Sequence, residues 1–280
     1  LFLMTFAFAV SFIDRQVMTL LIEPIKSDLN INDTQVSLLI GFAFSIFYIS
    51  MAIPIARLVD RGNRIKIISL GIFFWSLMTG MCGLAKNYWQ LFLARVGVGV
   101  GEATLTPAVY SLIPDYFPKD KLGTAVGIYM LGMSIGTGFA LVLGGAILSY
   151  MSNIGDIALP LIGTLRPWQV TFMIVGFPGI LLAILIRITV KEPPRRNIFD
   201  NTDDEITKTR LFTFLQRNFK TLGFITIAYS FGGMVFYGFL TWIPEHLRRA
   251  FDWDISNAGY IFGLMLAIFG SFGAVLGGRF

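Results

Sequence analysis

Charged and reactive side chains are scarce in this sequence, and each scarcity excludes a class of protein. Asp, Glu, Lys and Arg together make up only 14% of its 280 residues, well below the share of about a quarter that is usual in a soluble domain. One cysteine, Cys82, and one histidine do not suffice for a disulfide within the chain or for a Cys/His metal cluster. The sequence also lacks a P-loop and a nucleophile with a paired base. We therefore predict neither an enzyme nor an ATP-driven pump, with no catalytic residues, no metal and no cofactor.

Apolar residues make up 55% of the chain, and its mean hydropathy of +0.71 is typical of a membrane-embedded protein. Eight continuous apolar windows are each long enough to cross a bilayer, and they run over residues 1–22, 34–56, 65–85, 89–112, 122–148, 167–190, 218–243 and 256–278. Because they lack the alternation of a membrane β-barrel, all eight are predicted as helices. The net charge of +5 does not indicate nucleic acid as a partner, because no basic stripe with interleaved aromatic residues is present.

The basic residues are distributed unevenly between the predicted loops. Five lie in the odd-numbered loops and fourteen in the even-numbered ones, and the positive-inside rule assigns the even-numbered loops to the cytoplasm. The N-terminal end and the long sixth loop are then cytoplasmic too. Pro193 and Pro194 end the sixth helix. Residues 191–217 are predicted as a cytoplasmic linker with a short amphipathic helix on the membrane surface, or alternatively as an unstructured tether.

Two stretches of the chain, 222 residues apart, repeat the same pattern. LNINDTQVSLLIG, which begins at Leu29, aligns without a gap with FDWDISNAGYIFG, which begins at Phe251. The same offset places residues 278–280 on residues 56–58, so the last residues begin a second copy of a cytoplasmic loop. A parallel repeat of this kind is typical of a transporter built from two halves. Because the chain also begins within an apolar stretch, at Leu1, we expect it to be a piece of a longer protein.

The loop between the second and third helices carries a recognisable motif. It reads ARLVDRGNR and resembles the cytoplasmic signature of the major facilitator superfamily, G-x-L-A-D-R-x-G-R-R. The residues in register are Leu58, Asp60, Arg61 and Arg64, and those that depart are Ala56, Asn63 and Ile65. Arg95, Gly99 and Gly101 are spaced like the family's fourth-helix motif, R-x-x-x-G-x-G. Together, FIDRQ, DTQVSLLIGFAFSIFY, RVGVGVGEA, SLIPDYFP and VKEPPRR resemble the spinster-like branch of the superfamily.

This resemblance implies a fold and an activity. The fold is an all-α membrane architecture of two six-helix bundles that work by alternating access, and spinster-like members transport lysolipids or sphingolipids. The chain would then contain about eight of twelve helices. Residues 1–190 would form the N-terminal six-helix bundle, residues 191–217 the linker, and residues 218–280 the first two helices of the C-terminal bundle.

Four charged residues lie in the middle of predicted helices. Asp14 and Arg15 are adjacent in the first helix, about 100° apart around its axis, so they cannot face the same way. Arg95 and Glu102 share one face of the fourth helix, about 10 Å apart along the axis. Because a charge at the bilayer centre is costly, we expect pairing or a water-filled path. Asp14 and Glu102 are predicted as proton-coupling groups, and Arg15 and Arg95 as charge partners or head-group ligands, with a static charge network as the alternative.

Two further sets of residues are candidates for function. Asp60, Arg61 and Arg64 are predicted to form a latch of the cytoplasmic gate, with a role in membrane orientation alone as the alternative. Aromatic residues make up 15% of the chain, more than interfacial belts require, so some are predicted to line an apolar cavity. The candidates are Phe42, Phe44, Phe47, Tyr48, Tyr129, Phe231, Phe236 and Tyr237. For any one of them, packing or contact with lipid is the alternative.

These features together predict secondary active transport of an amphipathic, lipid-like solute, coupled to protons through the buried carboxylates. A proton-coupled drug or small-metabolite porter and a non-transporting membrane lipid sensor are the alternatives. The expected partners are the amphipathic substrate, protons and membrane lipids, with no nucleic acid. We expect a monomeric, multi-pass integral membrane protein, located in the bacterial inner (plasma) membrane if the organism is prokaryotic.

Overall fold

The computed structural model describes residues 1–159, 163–195 and 213–273 of the chain. Within them, 8 helices are long and apolar enough to cross a membrane. We number them spans 1 to 8, with the bounds Phe2–Leu20, Asp33–Arg61, Arg64–Cys82, Tyr88–Tyr116, Lys119–Met151, Pro167–Thr189, Phe219–Phe251 and Ile255–Gly273. The predicted windows and the all-α membrane fold are confirmed. Residues 274–278 of the last window and residues 196–212 of the predicted linker lie outside the described residues.

Several spans consist of shorter helices in series. The component helices are Asp33–Ser37, the π-helical turn Leu38–Phe42 and Ala43–Arg61 in span 2; Tyr88–Glu102 and Leu105–Tyr116 in span 4; the 3₁₀ turn Lys119–Lys121 and Leu122–Ile154 in span 5; and Ile255–Met265 with the π-helical turn Leu266–Gly270 in span 8. A further helix, Ile22–Leu29, lies between spans 1 and 2. The break in span 4 has a local cause, because Pro107 has no N–H and its ring clashes with the carbonyl group of Ala103.

Polar caps explain where four of the spans begin. The side chains of Asn32, Asn63 and Asn87 each accept a hydrogen bond from the backbone N–H three residues on, at the starts of spans 2, 3 and 4. At the start of span 8, the Asp254 side chain accepts hydrogen bonds from the backbone N–H groups of Ser256 and Asn257. Asn32 and Asp254 are separated by the same 222 residues as the two copies of the sequence repeat. The repeat therefore begins its helix at an equivalent capped position in each copy.

Spans 2, 3 and 4 pack with little space between their backbones. At Gly99 in span 4, a Cβ atom would lie 2.4 Å from the carbonyl oxygen of Phe44 in span 2. At Gly101, it would lie 2.8 Å from the backbone nitrogen of Trp75 in span 3. Only glycine fits such distances. The glycines of RVGVGVGEA therefore let two neighbours approach the span that carries Arg95 and Glu102.

The chain separates into two compact units. The first comprises Leu1–Pro193 with Pro244–Phe280, and it contains spans 1 to 6, the last turns of span 7 and span 8; the second, Pro194–Ile243, contains most of span 7. In the first unit, span 1 packs against span 5, span 3 against span 6, and span 8 against span 5. A short antiparallel pair of strands, β1 (Ile157–Leu159) and β2 (Gly163–Leu165), lies between spans 5 and 6, where the sequence patterns predicted only a loop. The predicted division into bundles and linker stays a prediction.

Candidate functional site

Arg15 of span 1 and Glu102 of span 4 form an ion pair inside the first unit. The Nε and Nη2 atoms of Arg15 each lie 2.5 Å from Glu102 Oε2. The Glu102 side chain is fully buried, whereas the Arg15 side chain is 15% exposed. A carboxylate buried this deeply needs such a partner, because an unpaired charge between helices costs several kcal/mol. The fold thus joins two predicted site residues that are 87 positions apart in the chain.

Aromatic rings surround the guanidinium group of Arg15. Its Cζ atom lies 4.9 Å from the ring centre of Phe12, 4.6 Å from that of Phe44 and 5.1 Å from that of Tyr48. At these distances the cation is attracted to the ring faces, and more strongly where water is excluded. Arg15 therefore combines a permanent positive charge, partial exposure and apolar surroundings. This combination suits an anionic group attached to an apolar body.

Asp14 lies in the interior of the bundle and takes no part in the Arg15–Glu102 ion pair. It is completely buried, and neither carboxyl oxygen has a hydrogen-bond partner among the described residues. The indole of Trp75 and the hydroxyl of Thr79, both in span 3, lie beside this carboxyl group. The different directions of Asp14 and Arg15 agree with their separation of about 100° around the helix.

Arg95 lies deeper in the bundle than Arg15. Its side chain is buried, with 1% exposure. Its Nη1 atom donates a long hydrogen bond, 3.5 Å, to the backbone carbonyl oxygen of Asp14, and its Cζ atom lies 5.6 Å from the ring centre of Phe44. Arg95 therefore contacts the backbone of Asp14 and not its carboxyl group. The structure brings these two predicted residues together without an ion pair between them.

Buried polar atoms without hydrogen-bond partners gather around the two carboxyl groups. Within the described residues, such atoms belong to Asp14 and Glu102 and to four residues beside them, Ser11, Trp75, Thr79 and Arg95; Gln16, Ser69, Ser76 and Ser271 have further ones. Most buried polar atoms in proteins are paired, so each exception calls for an explanation. A concentration of exceptions around ionisable groups is more typical of a functional site than of a structural core.

Three of the eight aromatic residues predicted to line a cavity lie at or beside the Arg15 site. Phe44 and Tyr48 surround its guanidinium group. Tyr129 is buried, stacks on Phe8 with a ring separation of 4.5 Å, and has its hydroxyl oxygen 3.4 Å from that of Thr106. Two more, Phe42 and Phe47, are exposed on span 2, and the last three, Phe231, Phe236 and Tyr237, are exposed in the second unit. For these five residues, a place in the cavity wall stays a prediction.

Arg64 is buried at one end of the first unit, which we call the Arg64 end. Its Nη1 atom lies 2.5 Å from Asp115 Oδ2 at the end of span 4, and its Nε atom lies 2.6 Å from Glu192 Oε1 just after span 6. Arg64 thereby ties spans 3, 4 and 6 to one another. Asp60 and Arg61, the other residues of the predicted latch, are exposed. The latch itself stays a prediction.

An ionic network at the other end of span 2, which we call the Arg248 end, joins the last turns of span 7 to the segment around the start of span 2. Arg248 Nη2 lies 3.1 Å from Glu23 Oε1. Arg249 binds the Asp33 carboxylate through two hydrogen bonds of 3.0 Å each. Glu245, which is only 2% exposed, accepts hydrogen bonds from both arginines and holds them in position. The network therefore spans two parts of the chain that are more than two hundred residues apart.

Lys26 adds a third cation to the Arg248 end. Its Nζ atom lies 2.7 Å from Asp33 Oδ1 and 3.2 Å from Glu23 Oε2. The hydrogen bond to Asp33 raises the pKa of Lys26 above its usual value, so the lysine stays charged throughout the neutral range. Three cations and three carboxylates thus share one network.

Sequence reasoning missed the acidic partners at both ends, although some signals were present. Glu245, Arg248 and Arg249 have the i, i+3 and i, i+4 spacing that predicts ion pairs on one helix face. Asp115 and Glu192 lie in SLIPDYFP and VKEPPRR, at span ends that the positive-inside rule assigns to the same side as Arg64. A search for carboxylates at those ends would have named both residues. Their convergence on one arginine required the fold.

Eight membrane spans with ionisable side chains buried between spans 1 and 4 define a multi-pass integral membrane protein with a charged site inside its helical bundle. Within the part of the chain that the structure describes, no three His, Cys, Asp or Glu residues are grouped so that they could hold a metal ion. The chain belongs to the major facilitator superfamily, whose family model matches residues 4–280. The superfamily inferred from the motifs is confirmed.

Similar proteins narrow this assignment. A bacterial homologue of the human lysosomal transporter spinster, solved in an inward-facing and unoccupied conformation, is 35% identical with a TM-score of 0.82, over 97% of this chain and 60% of that one. An MFS-type efflux pump of Mycolicibacterium smegmatis is 26% identical over 96% of this chain and 59% of its own length. A probable L-galactonate transporter of Escherichia coli is 26% identical over 99% of this chain and 59% of its own length. The chain thus spans about three fifths of each relative, and the first similarity agrees with the spinster-like branch indicated by the motifs.

Proposed function

We propose that the protein is a secondary active transporter that moves an amphipathic, anionic, lipid-like solute by alternating access, coupled to protons. The observation that carries this proposal is Arg15, which is partly exposed, paired with Glu102 and surrounded by three aromatic rings. The site offers one positive charge for a head group and an apolar wall for the part of the solute next to it. The likeness to a spinster homologue supports the same substrate class, because the resemblance to that branch implies lysolipids or sphingolipids.

The two central arginines take different roles in this proposal. Arg15 has an exposed edge and binds the head group directly. Arg95 is 1% exposed and donates to the backbone of Asp14, so it acts as a positioning residue for Asp14. A head group that reaches Arg15 must compete with Glu102, because both anions use the same guanidinium donors.

Competition at Arg15 supplies the coupling step. When an anionic head group binds the guanidinium group, the Glu102 carboxylate is left buried without a partner. An unpaired buried charge is costly in free energy, and Glu102 removes this cost by binding a proton. The solute and the proton then bind together, which favours symport. Asp14 already lacks a partner within the described residues, so we expect it to carry a proton in the conformation described here.

Alternating access requires one entrance to close while the other opens. The Arg248 end is linked by ion pairs between span 7 and the start of span 2, and the positive-inside rule assigns this end to the outside. An outer entrance closed in this way agrees with the inward-facing conformation named for the similar bacterial protein. Partly exposed ion pairs separate with little loss of free energy, which suits a gate.

Solute flux in proteoliposomes tests the proposal. The full-length protein is reconstituted, and uptake of a radiolabelled lysolipid is measured with and without an imposed pH gradient. We expect gradient-driven uptake by the wild type and no gradient dependence in Glu102→Gln, because the amide cannot take up the proton. Arg15→Gln should lose roughly a hundredfold in uptake, because the head group of the solute loses its charged partner, an effect of about 3 kcal/mol. Asp120→Asn removes an exposed carboxylate outside the site and should behave like the wild type.

Parallel uptake assays with labelled L-galactonate separate the lipid-like solute from a small-metabolite anion. The E. coli relative favours this second candidate, and Arg15 would serve either anion. If galactonate is taken up and lysolipid is not, the protein would be a porter of small-metabolite anions, and the proposal of a lipid-like substrate would be rejected. Absence of both fluxes would favour a non-transporting lipid sensor. Gradient dependence that survives in Glu102→Gln would remove this residue from the coupling step.

A further inference from the structure

A groove of about 310 Å³ runs between spans 3 and 6 and uses none of the residues of the Arg15 site. Its walls are the exposed apolar side chains Leu70, Phe73, Ile184 and Ile188. Its floor is formed by two small buried residues, Ser69 and Ala183. The lining residues recur at three- and four-residue spacing on both helices, so the groove follows the helix axes.

Two exposed cations, Lys66 and Arg187, line the groove at the Arg64 end of the two helices. Among the ion pairs of the described residues, neither Lys66 nor Arg187 takes part. Arg64, only two residues before Lys66, is the contrast, because it engages both Asp115 and Glu192. Asp115 and Glu192 are thus bound to Arg64, and the charge of Lys66 and Arg187 is available to an anion from outside the chain.

Ser69 provides an independent sign of a ligand in the groove. Its side chain is only 6% exposed, and its hydroxyl group has no hydrogen-bond partner among the described residues. It lies one turn along span 3 from Lys66, between the cationic mouth and the apolar walls. A phosphate or ester oxygen at this depth would satisfy the hydroxyl group.

The shape of the groove selects a lipid over a soluble anion. Both of its helices are membrane spans, and Phe73 lies about 10 Å further into the bilayer than Lys66. A free phosphate ion would leave this apolar length unused. The positive-inside rule assigns Lys66 and Arg187 to the cytoplasmic surface, where anionic lipids attract basic residues and where basic pockets between membrane helices bind lipid head groups.

We propose that this groove binds one anionic glycerophospholipid of the cytoplasmic leaflet. Lys66 and Arg187 hold the phosphate head group, the Ser69 hydroxyl group donates a hydrogen bond to a phosphate or ester oxygen, and an acyl chain packs against Phe73 and Ile184. The bound lipid joins spans 3 and 6 at the end where Arg64 ties the same spans together. This site is separate from the proposed transport site and does not depend on transport.

Photo-crosslinking in vesicles tests the site directly. The full-length protein is reconstituted in phosphatidylcholine with a trace of phosphatidylglycerol that carries a diazirine in its acyl chain, and labelled peptides are mapped by mass spectrometry. We expect adducts on Leu70, Phe73 or Ile184. Lys66→Gln/Arg187→Gln should reduce this labelling about twenty-five-fold, because each basic residue at the surface contributes about fivefold in affinity.

Matched controls separate the groove from general surface charge. Lys119→Gln/Lys121→Gln removes the same charge from an exposed turn that is predicted to face the same leaflet, and it should be labelled like the wild type. Both double variants change exposed residues, and their unfolding midpoints verify that they fold. Labelling of Ser69→Ala should be about fivefold lower than that of the wild type, because this variant loses one hydrogen bond to the lipid.

Three results would overturn the proposal. The first is equal labelling by a phosphatidylcholine probe with the same diazirine chain, since the contact would then be unselective. The second is unchanged labelling of Lys66→Gln/Arg187→Gln. The third is loss of labelling in the presence of excess glycerol 3-phosphate, because the groove would then recognise a soluble anion.

Discussion

The two ends of the first unit hold their charges in different ways. At the Arg64 end, one arginine with a 1% exposed side chain is shared by Asp115 and Glu192, and all of these residues belong to spans 3, 4 and 6 or their immediate ends. At the Arg248 end, Arg248 and Arg249 have side chains that are 33% and 38% exposed, and they reach from span 7 to acidic residues near the start of span 2.

Burial decides what each cluster can do. A buried ion pair cannot be broken without leaving charges that neither water nor a partner stabilises, so it holds its helices in one arrangement. The charged groups of a partly exposed pair can replace their contact with each other by contacts with water at a small cost in free energy. Such pairs can therefore form in one conformation and separate in another. We therefore infer that spans 3, 4 and 6 move as one body and that the ion pairs at the Arg248 end separate when the outer entrance opens.

Arg64→Gln should produce the largest loss of stability. It leaves Asp115 and Glu192 close together without the cation between them, and we expect the free energy of unfolding to fall by about 3–5 kcal/mol. Equilibrium unfolding in mixed micelles measures this change. Arg57→Gln, which removes an exposed arginine near the end of span 2, should stay within about 0.5 kcal/mol of the wild type. Equal losses in the two variants would contradict the difference that we draw between the ends.

Glu245→Gln tests how much a buried carboxylate contributes to stability at the Arg248 end, where the other charged residues of the network are partly exposed. Glu245 is 2% exposed and accepts hydrogen bonds from two arginines, so we expect its loss to cost about 1.5–3 kcal/mol, between the effects at the two ends. The same unfolding assay applies. A change as small as that of an exposed pair would mean that position in the network, and not burial, sets the contribution.

Arg249→Gln should alter conformation more than stability. The exposed pair with Asp33 contributes about 0.2–1 kcal/mol, but its loss weakens a link between span 7 and the start of span 2. Spin labels are attached to cysteines introduced at Ser27 and Asn257, which are both exposed near this end. In Arg249→Gln, the population with a long distance between the two labels should be larger than in the wild type. Arg166→Gln is the matched control, because it removes an exposed pair with Asp28 that does not involve span 7. A distance distribution identical to that of the wild type would reject the gate.

Salt should have the smallest effect and should again separate the two ends. Raising NaCl from about 0.1 M to about 1 M shortens the screening length from about 10 Å to about 3 Å. The spin-label distances of the wild type should then shift toward those of Arg249→Gln. The difference in unfolding free energy between the wild type and Arg64→Gln should change little, because a buried pair is poorly screened. A salt-dependent Arg64 cluster would mean that water reaches it.

Part of the candidate site was open to prediction because the relevant signals are local. Asp14, Arg15, Arg95 and Glu102 stand out as charges within apolar windows, and the helical period alone separates the directions of Asp14 and Arg15. The partner of Arg15 was not predictable from spacing. Glu102 is 87 residues away, and the sequence left open whether Arg15 or Arg95 pairs with Glu102 or with Asp14.

The sequence by itself determined the eight spans, their helical nature and the superfamily, because hydropathy over about twenty residues decides whether a segment enters a membrane. Tertiary structure alone decided that Arg15 pairs with Glu102, that Arg64 lies between Asp115 and Glu192, and that basic residues on two helices line one groove. These contacts depend on how each helix is rotated against its neighbours. Close packing at Gly99 and Gly101 sets part of that rotation, and it involves residues from distant parts of the chain.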